Sequence, residues 1–111
     1  MTTHLLVIDA GTGSGRAVVF DRDGNQIGFA QEEWRHLPED GVPGSMSFDV
    51  RGGWALLRRC IAKALSACGL TGRDIAAISA TSMREAIVLY DVSAKKATAT
   101  LPLTSEYQDL K

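Results

Sequence analysis

Leu5-Leu6-Val7-Ile8-Asp9-Ala10-Gly11-Thr12-Gly13-Ser14-Gly15-Arg16-Ala17-Val18-Val19-Phe20-Asp21 is the stretch that decides the fold of this chain. An apolar run ends in a carboxylate, Asp9. A small-residue turn containing three glycines, Thr12 and Ser14 follows, then the cation Arg16 and a second apolar run. Glycines let backbone N–H groups point into one concavity where anionic oxygens sit, and Thr12 and Ser14 add hydroxyl donors. Asp9, at the strand tip beside that concavity, is placed to hold a hydrated magnesium ion (Mg2+), and Arg16 to neutralise a phosphate. The set suits the triphosphate tail of a nucleotide. On pattern alone, a plain Gly-rich hairpin turn reads equally well.

Two better-known phosphate loops are excluded. A Walker A loop requires Lys after its last Gly, and no Gly in this chain is followed by Lys. The dinucleotide fingerprint GxGxxG opens a helix. Here the spacing is GxGxG, and Ala17-Val18-Val19-Phe20 reads as a strand, so the turn joins two strands as a hairpin.

Length and composition bound the rest. The 111 residues allow at most one domain, and 45% hydrophobic with 23% charged residues is ordinary for a globular chain. About two-thirds of the unfolded surface can be buried at this size. A net charge of −1 argues against nucleic acid or an anionic membrane surface as a partner. No apolar run approaches the ~20 residues of a membrane span. Met1-Thr2-Thr3-His4 lacks the positive region of a signal peptide. Cys60 and Cys68, if on one helix, stand about 12 Å apart along its axis, beyond disulfide reach. They read as buried thiols of a reducing compartment, and a cytoplasmic location fits.

Further along, the order of elements emerges. His4 to Asp9 and Arg16 to Asp21 are strands. Asp23-Gly24-Asn25 is a turn, and Gln26 to Trp34 a third strand with Ile27 and Phe29 on one face. The segment from His36 to Phe48, with Pro38, Gly41, Pro43 and Gly44, is expected as a loop. Asp49 caps a helix from about Val50 to Cys68, stopped by Gly69. Its expected buried stripe is Trp54, Leu57, Ile61, Ala64, Leu65 and Cys68. Arg51, Arg58, Arg59 and Lys63 lie off it as a solvated face. Ile75 to Ser82 is a small-residue strand parallel to the first. Ala86 to Tyr90 is another strand, Asp91 falls in a turn, and the remainder carries little core information.

Three antiparallel strands, a helix and a returning parallel strand, with a carboxylate and a Gly/Thr/Ser turn between the first two strands, resemble a known α/β fold. It is the ribonuclease-H-like half-domain of the sugar kinase, actin and heat-shock ATPase superfamily, present here in incomplete form. DAGTGSGRAVVFD (residues 9–21) resembles the first phosphate motif of the FGGY carbohydrate kinases. Glu33-Trp34-Arg35-His36-Leu37, Val42-Pro43-Gly44-Ser45-Met46 with Phe48-Asp49, and Ser82-Met83-Arg84-Glu85-Ala86-Ile87-Val88-Leu89-Tyr90 narrow the resemblance to one bacterial branch. It covers residues 5 to 91, so residues 1–91 read as a partial N-terminal kinase subdomain and 92–111 as a divergent tail.

The resemblance implies roles residue by residue. Asp9 would organise Mg2+ through water. Gly11, Thr12, Gly13 and Ser14 would line the β- and γ-phosphates of ATP, with Arg16 assisting. Gly13 replaces a Thr of some relatives, which removes one hydroxyl donor. Arg84 and Glu85 match the pair that holds substrate hydroxyls, fork donors beside acceptors, as a small polyhydroxylated substrate requires. ATP would phosphorylate a terminal hydroxyl of that substrate.

Family members also use a catalytic Asp well downstream and a second domain that carries the adenine site. Neither is expected in these residues. Asp91 in a turn is a poor substitute base. The chain alone is therefore expected to be inactive, with exposed edges that invite self-association. The alternative is a non-catalytic remnant that binds nucleotide, sugar or a protein partner. A two-metal nuclease shares the strand-helix order but needs several converging carboxylates. Between Val50 and Gly69 there is no Asp or Glu.

Overall fold

Two continuous apolar runs and one alternating segment, joined by two tight turns, produce the first three strands of the computed structural model: β1 (His4–Ala10), β2 (Ser14–Phe20) and β3 (Gln26–Glu33). There follow β4 (His36–Pro38), β5 (Ser45–Phe48), the helix α1 (Val50–Ala67), a short 3-10 turn (Gly72–Asp74) and β6 (Ile75–Ser82). The last strands are β7 (Val88–Asp91), β8 (Lys96–Thr100) and β9 (Leu103–Thr104). The structure describes residues 3–38, 41, 43, 45–82, 88–91, 93, 96–100 and 103–104. It divides into two compact units, Met1–Trp34 with Trp54–Met83, and Arg35–Gly53 with Arg84–Lys111.

The first unit is a four-stranded sheet in the order β3-β2-β1-β6. β2 pairs antiparallel with both β1 and β3, and β6 returns parallel to β1, as the sequence pattern predicts. Crossing back to a parallel strand requires a long connection, which α1 supplies. The sheet order and its single crossover make this a ribonuclease-H-like half-domain.

Local chemistry closes each turn. Between β2 and β3 the Asp21 carboxylate accepts the backbone N–H groups of Asp23 and Asn25 and the Asn25 side-chain amide, each at 2.9 Å. Gly24 takes a positive φ of 84° there, a conformation costly for any residue with a Cβ. At the start of α1 the Asp49 Oδ1 accepts the Gly52 N–H at 3.0 Å, the expected cap. At its end Leu70 N–H reaches the Leu65 carbonyl (2.9 Å) and Gly69 N–H the Ser66 carbonyl (3.1 Å). Gly69, at φ 71°, is thus the left-handed residue of a Schellman motif.

α1 packs on one face of the sheet through part of the expected stripe: Ala64 is buried and Ile61, Leu65 and Cys68 pack beside the core, but Trp54 does not join them. Leu56, Cys60 and Ala64 are buried with Leu6, Ala17 and Val19, while Trp54 is 57% exposed. Leu56 and Cys60 replace Trp54 on the buried face where helix and sheet approach very closely. A methyl added at Gly28 would lie 2.5 Å from the Ala64 carbonyl oxygen, and one at Gly15 2.8 Å from Leu57 Cδ2. Bulk at the centre of the stripe would lift the helix away. The cationic face of α1 is also more than solvated. Arg59 grips Glu32 of β3 through Nε (3.2 Å) and Nη2 (3.3 Å), and Lys63 lies 3.6 Å from the same carboxylate.

Within the second unit, residues 36–48 are not simply a loop. β4 and β5 pair antiparallel, with His36 opposite Phe48, and β5 continues to β9. The chain breakers bound these strands rather than interrupt them: Pro38 ends β4, and Gly41 and Pro43 fall between the two. β7 and β8 form a second hairpin, with Asp91 paired to Lys96 instead of lying in the turn. The segment after Asp91 therefore holds strands that its weak apolar pattern does not announce.

Three carboxylates tie the first unit to pH. Hydrogen bonds from Asn25 hold Asp21 below its ordinary value, the Arg59 guanidinium does so for Glu32, and the Thr71 N–H (2.9 Å) for Asp74. A depressed folded-state value adds stability at neutral pH that is lost as pH falls through it. We expect the thermal midpoint to hold between neutrality and about pH 5 and to fall below about pH 4. Asp21→Ala should lower the neutral-pH midpoint and flatten part of that acid decline, as followed by circular dichroism melts. An identical acid decline in the variant would remove Asp21 from this explanation.

Candidate functional site

The β1–β2 connection is only Gly11, Thr12 and Gly13, because Ser14 and Gly15 already belong to β2. Gly15 is not part of a phosphate cradle; it lies buried beneath α1, against Leu56, Leu57 and Trp34. The short loop is fastened from both sides. Gly11 N–H donates to the Ser14 carbonyl at 2.9 Å, and Trp34 N–H to the Gly13 carbonyl at 3.2 Å. Gly13 opens on free space, with nothing within 4 Å of an added Cβ.

Strand register then assembles the polar side chains. Asp9 stands directly opposite Arg16, Arg16 opposite Gln31, and Asp9 also opposite Thr81 of β6. Directly paired residues share a sheet face, so these four form one row across four strands. Alternation puts that row on the face opposite α1, since Gly15 and Ala17, the neighbours of Arg16, are buried. Arg16 Nε lies 2.9 Å from Asp9 Oδ2. Ser14 Oγ accepts a hydrogen bond from Gln31 Nε2 at 2.8 Å. Thr12 is exposed at the loop tip.

Asp9, Gly11, Thr12, Gly13, Ser14 and Arg16 thus come together at one corner of the sheet. Arg84 and Glu85 lie outside the described residues. Gln31 and Thr81 were not singled out from sequence. The signal for Gln31 is the period-two alternation of β3, which continues the Ile27–Phe29 face to residue 31. Thr81 required the parallel register of β6 on β1, which no local pattern encodes.

The donor set fits magnesium of one kind only. Among the described residues no group of three or more His, Cys, Asp or Glu converges. A lone carboxylate suits an ion that keeps most of its waters and takes phosphate oxygens as its other ligands. Elsewhere the thiols are quiet: Cys60 and Cys68 are free, and burial pushes the Cys60 thiol up, away from the reactive thiolate. Among the described residues, no helix is long and apolar enough to cross a membrane.

Comparison with solved structures defines the class. A gluconate kinase from Lactobacillus acidophilus matches over 88% of this chain and 19% of its own, with a TM-score of 0.73 at 17% identity. A xylulose kinase from Rhodospirillum rubrum matches over 88% and 20%, with a TM-score of 0.71 at 20% identity. The fold is that of sugar kinases.

Sequence comparison gives the family. The FGGY family of carbohydrate kinases, N-terminal domain, matches residues 4–101, and the chain belongs to that family. The autoinducer-2 kinase of Klebsiella pneumoniae is 53% identical over 89 residues, 80% of this chain and 17% of that protein. The autoinducer-2 kinase of Yersinia enterocolitica is 54% identical over 92 residues, 83% of this chain and 17% of that protein. The chain thus spans about a sixth of the length of these relatives. The family match reaches residue 101, past Asp91.

Proposed function

We propose that this chain carries the ATP phosphate loop and the substrate-hydroxyl motif of a carbohydrate kinase of the autoinducer-2 kinase type. The complete enzyme would transfer the γ-phosphate of ATP to a hydroxyl of a small polyhydroxylated substrate. The observation that carries this reading is the corner of the sheet where Asp9, Ser14 and Arg16 meet beside the open Gly11–Gly13 loop. Phosphoryl transfer relies mainly on positioning and charge stabilisation. Arg16 supplies charge for a phosphate oxygen, Ser14 and Thr12 supply hydroxyl donors, and Asp9 would hold a magnesium ion through its water ligands. Magnesium bound there would neutralise phosphate charge. Arg84 and Glu85 supply donors and acceptors for substrate hydroxyls, as in the resemblance. Residues 1–91 are the kinase subdomain in this reading, and the enzyme is cytoplasmic.

Alone, the chain should give no turnover. The base that takes the hydroxyl proton lies downstream in the family's pattern, and its loss costs about 10²–10⁴-fold. Positioning by a closing lobe is worth several further kcal/mol. The exposed Leu5, Ile27 and Phe29 and the edge position that β6 holds among the described strands also favour self-association of the isolated chain. A coupled ADP-release assay with ATP, magnesium, autoinducer-2 precursor and simple polyols checks the proposal. We expect no ADP above background. Turnover abolished by Asp9→Asn would mean that copies of this chain rebuild a complete site, and the division of labour above would be wrong.

A further inference from the structure

We infer that Gln31 is a positioning residue of the phosphate loop, acting through Ser14; this rests on the phosphate reading above. Ser14 pairs across the strands with Glu33, so Gln31 is its diagonal neighbour on β3, two residues along and on the same face. Its amide Nε2 donates to Ser14 Oγ at 2.8 Å. A serine hydroxyl has one hydrogen to give and two lone pairs to receive with. Gln31 fills one of the lone pairs, so the Ser14 hydrogen is left to donate, and an oxyanion at the loop accepts it. The surrounding groups are already committed. The Ser14 carbonyl takes the Gly11 N–H, the Gly13 carbonyl takes the Trp34 N–H, and Arg16 holds Asp9. Gln31 therefore does more than decorate the sheet: it sets the polarity of the hydroxyl that the loop presents.

Gln31 is exposed, whereas its β3 neighbours Gly28, Ala30 and Glu32 serve the α1 face. Replacing it leaves the core intact, which separates positioning from folding. Four proteins decide the matter: wild type, Gln31→Met, Ser14→Ala and the double variant. The measurement is the dissociation constant for magnesium–ATP by phosphorus NMR titration, with the thermal midpoint of each protein alongside. Gln31→Met and Ser14→Ala should each weaken binding about fivefold, the worth of one ordinary hydrogen bond. In the Ser14→Ala background, Gln31→Met should add nothing, because its only route of action is gone. Midpoints should be unchanged by Gln31→Met. Wild-type affinity in Gln31→Met, or an equal loss with and without Ser14, overturns the inference and spares the phosphate reading. No binding by the wild type overturns both.

Discussion

Gly28→Ala is expected to destabilise the chain by roughly 2–3 kcal/mol, and Gly28→Val by more, through overpacking at the helix–sheet contact. The new methyl would sit 2.5 Å from the Ala64 carbonyl oxygen, 3.0 Å from Cys68 Sγ and 3.3 Å from Val19 Cβ. A carbonyl oxygen inside a helix cannot step aside unless α1 moves as a body. Replacing Gly by Ala also removes backbone freedom from the unfolded chain, a gain of about 0.4–1 kcal/mol that the clash must exceed. Gly15→Ala provides the internal comparison. Its methyl would meet Leu57 Cδ2 and Trp34 Cζ3 at 2.8 Å and Leu56 Cδ2 at 3.0 Å, all ends of side chains. Those ends can rotate, so the loss at Gly15 should be smaller than at Gly28. Urea unfolding midpoints at constant slope measure both. A larger loss at Gly15 would show that the packed ends of Leu56, Leu57 and Trp34, rather than the helix backbone, are the unyielding partners.

The same two glycines mark where sequence reading stops. Strand order and direction were legible, because the apolar runs at Leu5–Ile8 and Ala17–Phe20 flank a turn too short for anything but a hairpin. The ends of α1 were legible as well, since Asp49 and Gly69 are local signals with local consequences. The buried line of the helix was legible only in part. Ala64 lies on the expected stripe with Ile61, Leu65 and Cys68 beside the core, whereas Leu56 and Cys60 take the place that apolar size gave to Trp54, where glycines of the sheet let the helix come close. Gly15 shows the same limit: in the linear pattern it belongs with Gly11 and Gly13, yet it serves packing beneath the helix. The hairpin of β4 and β5 was hidden because Pro and Gly lie close together there, and a count of breakers cannot tell strand ends from loop. At the site, Asp9, Ser14 and Arg16 were evident from composition and spacing. Their partners Gln31 and Thr81 depend on register between strands.

The second large effect is expected at the Asp9–Arg16 pair. Both side chains keep contact with water, 27% and 42% exposed, so the ion pair itself is worth at most about 1 kcal/mol to folding. Asp9→Asn and Arg16→Met should therefore melt close to the wild type. Their effect on ligand is a different matter, since hydrogen bonds and ion contacts to charged groups are worth about 1.5–3 kcal/mol. Each substitution should weaken magnesium–ATP at least tenfold. In the free chain the two charges satisfy one another. Binding must part them, Asp9 turning to the hydrated metal and Arg16 to phosphate, so the two losses should not add in the double variant.

Phosphorus NMR of magnesium–ATP with this chain is the measurement to make, because it reads the phosphates directly and tolerates weak binding. The wild type should broaden or shift the β- and γ-phosphorus resonances, and Asp9→Asn and Arg16→Met should restore the spectrum of free nucleotide. A spectrum unchanged by the wild type, or perturbed equally by both variants, would mean that this corner of the sheet is a hairpin and not a phosphate site.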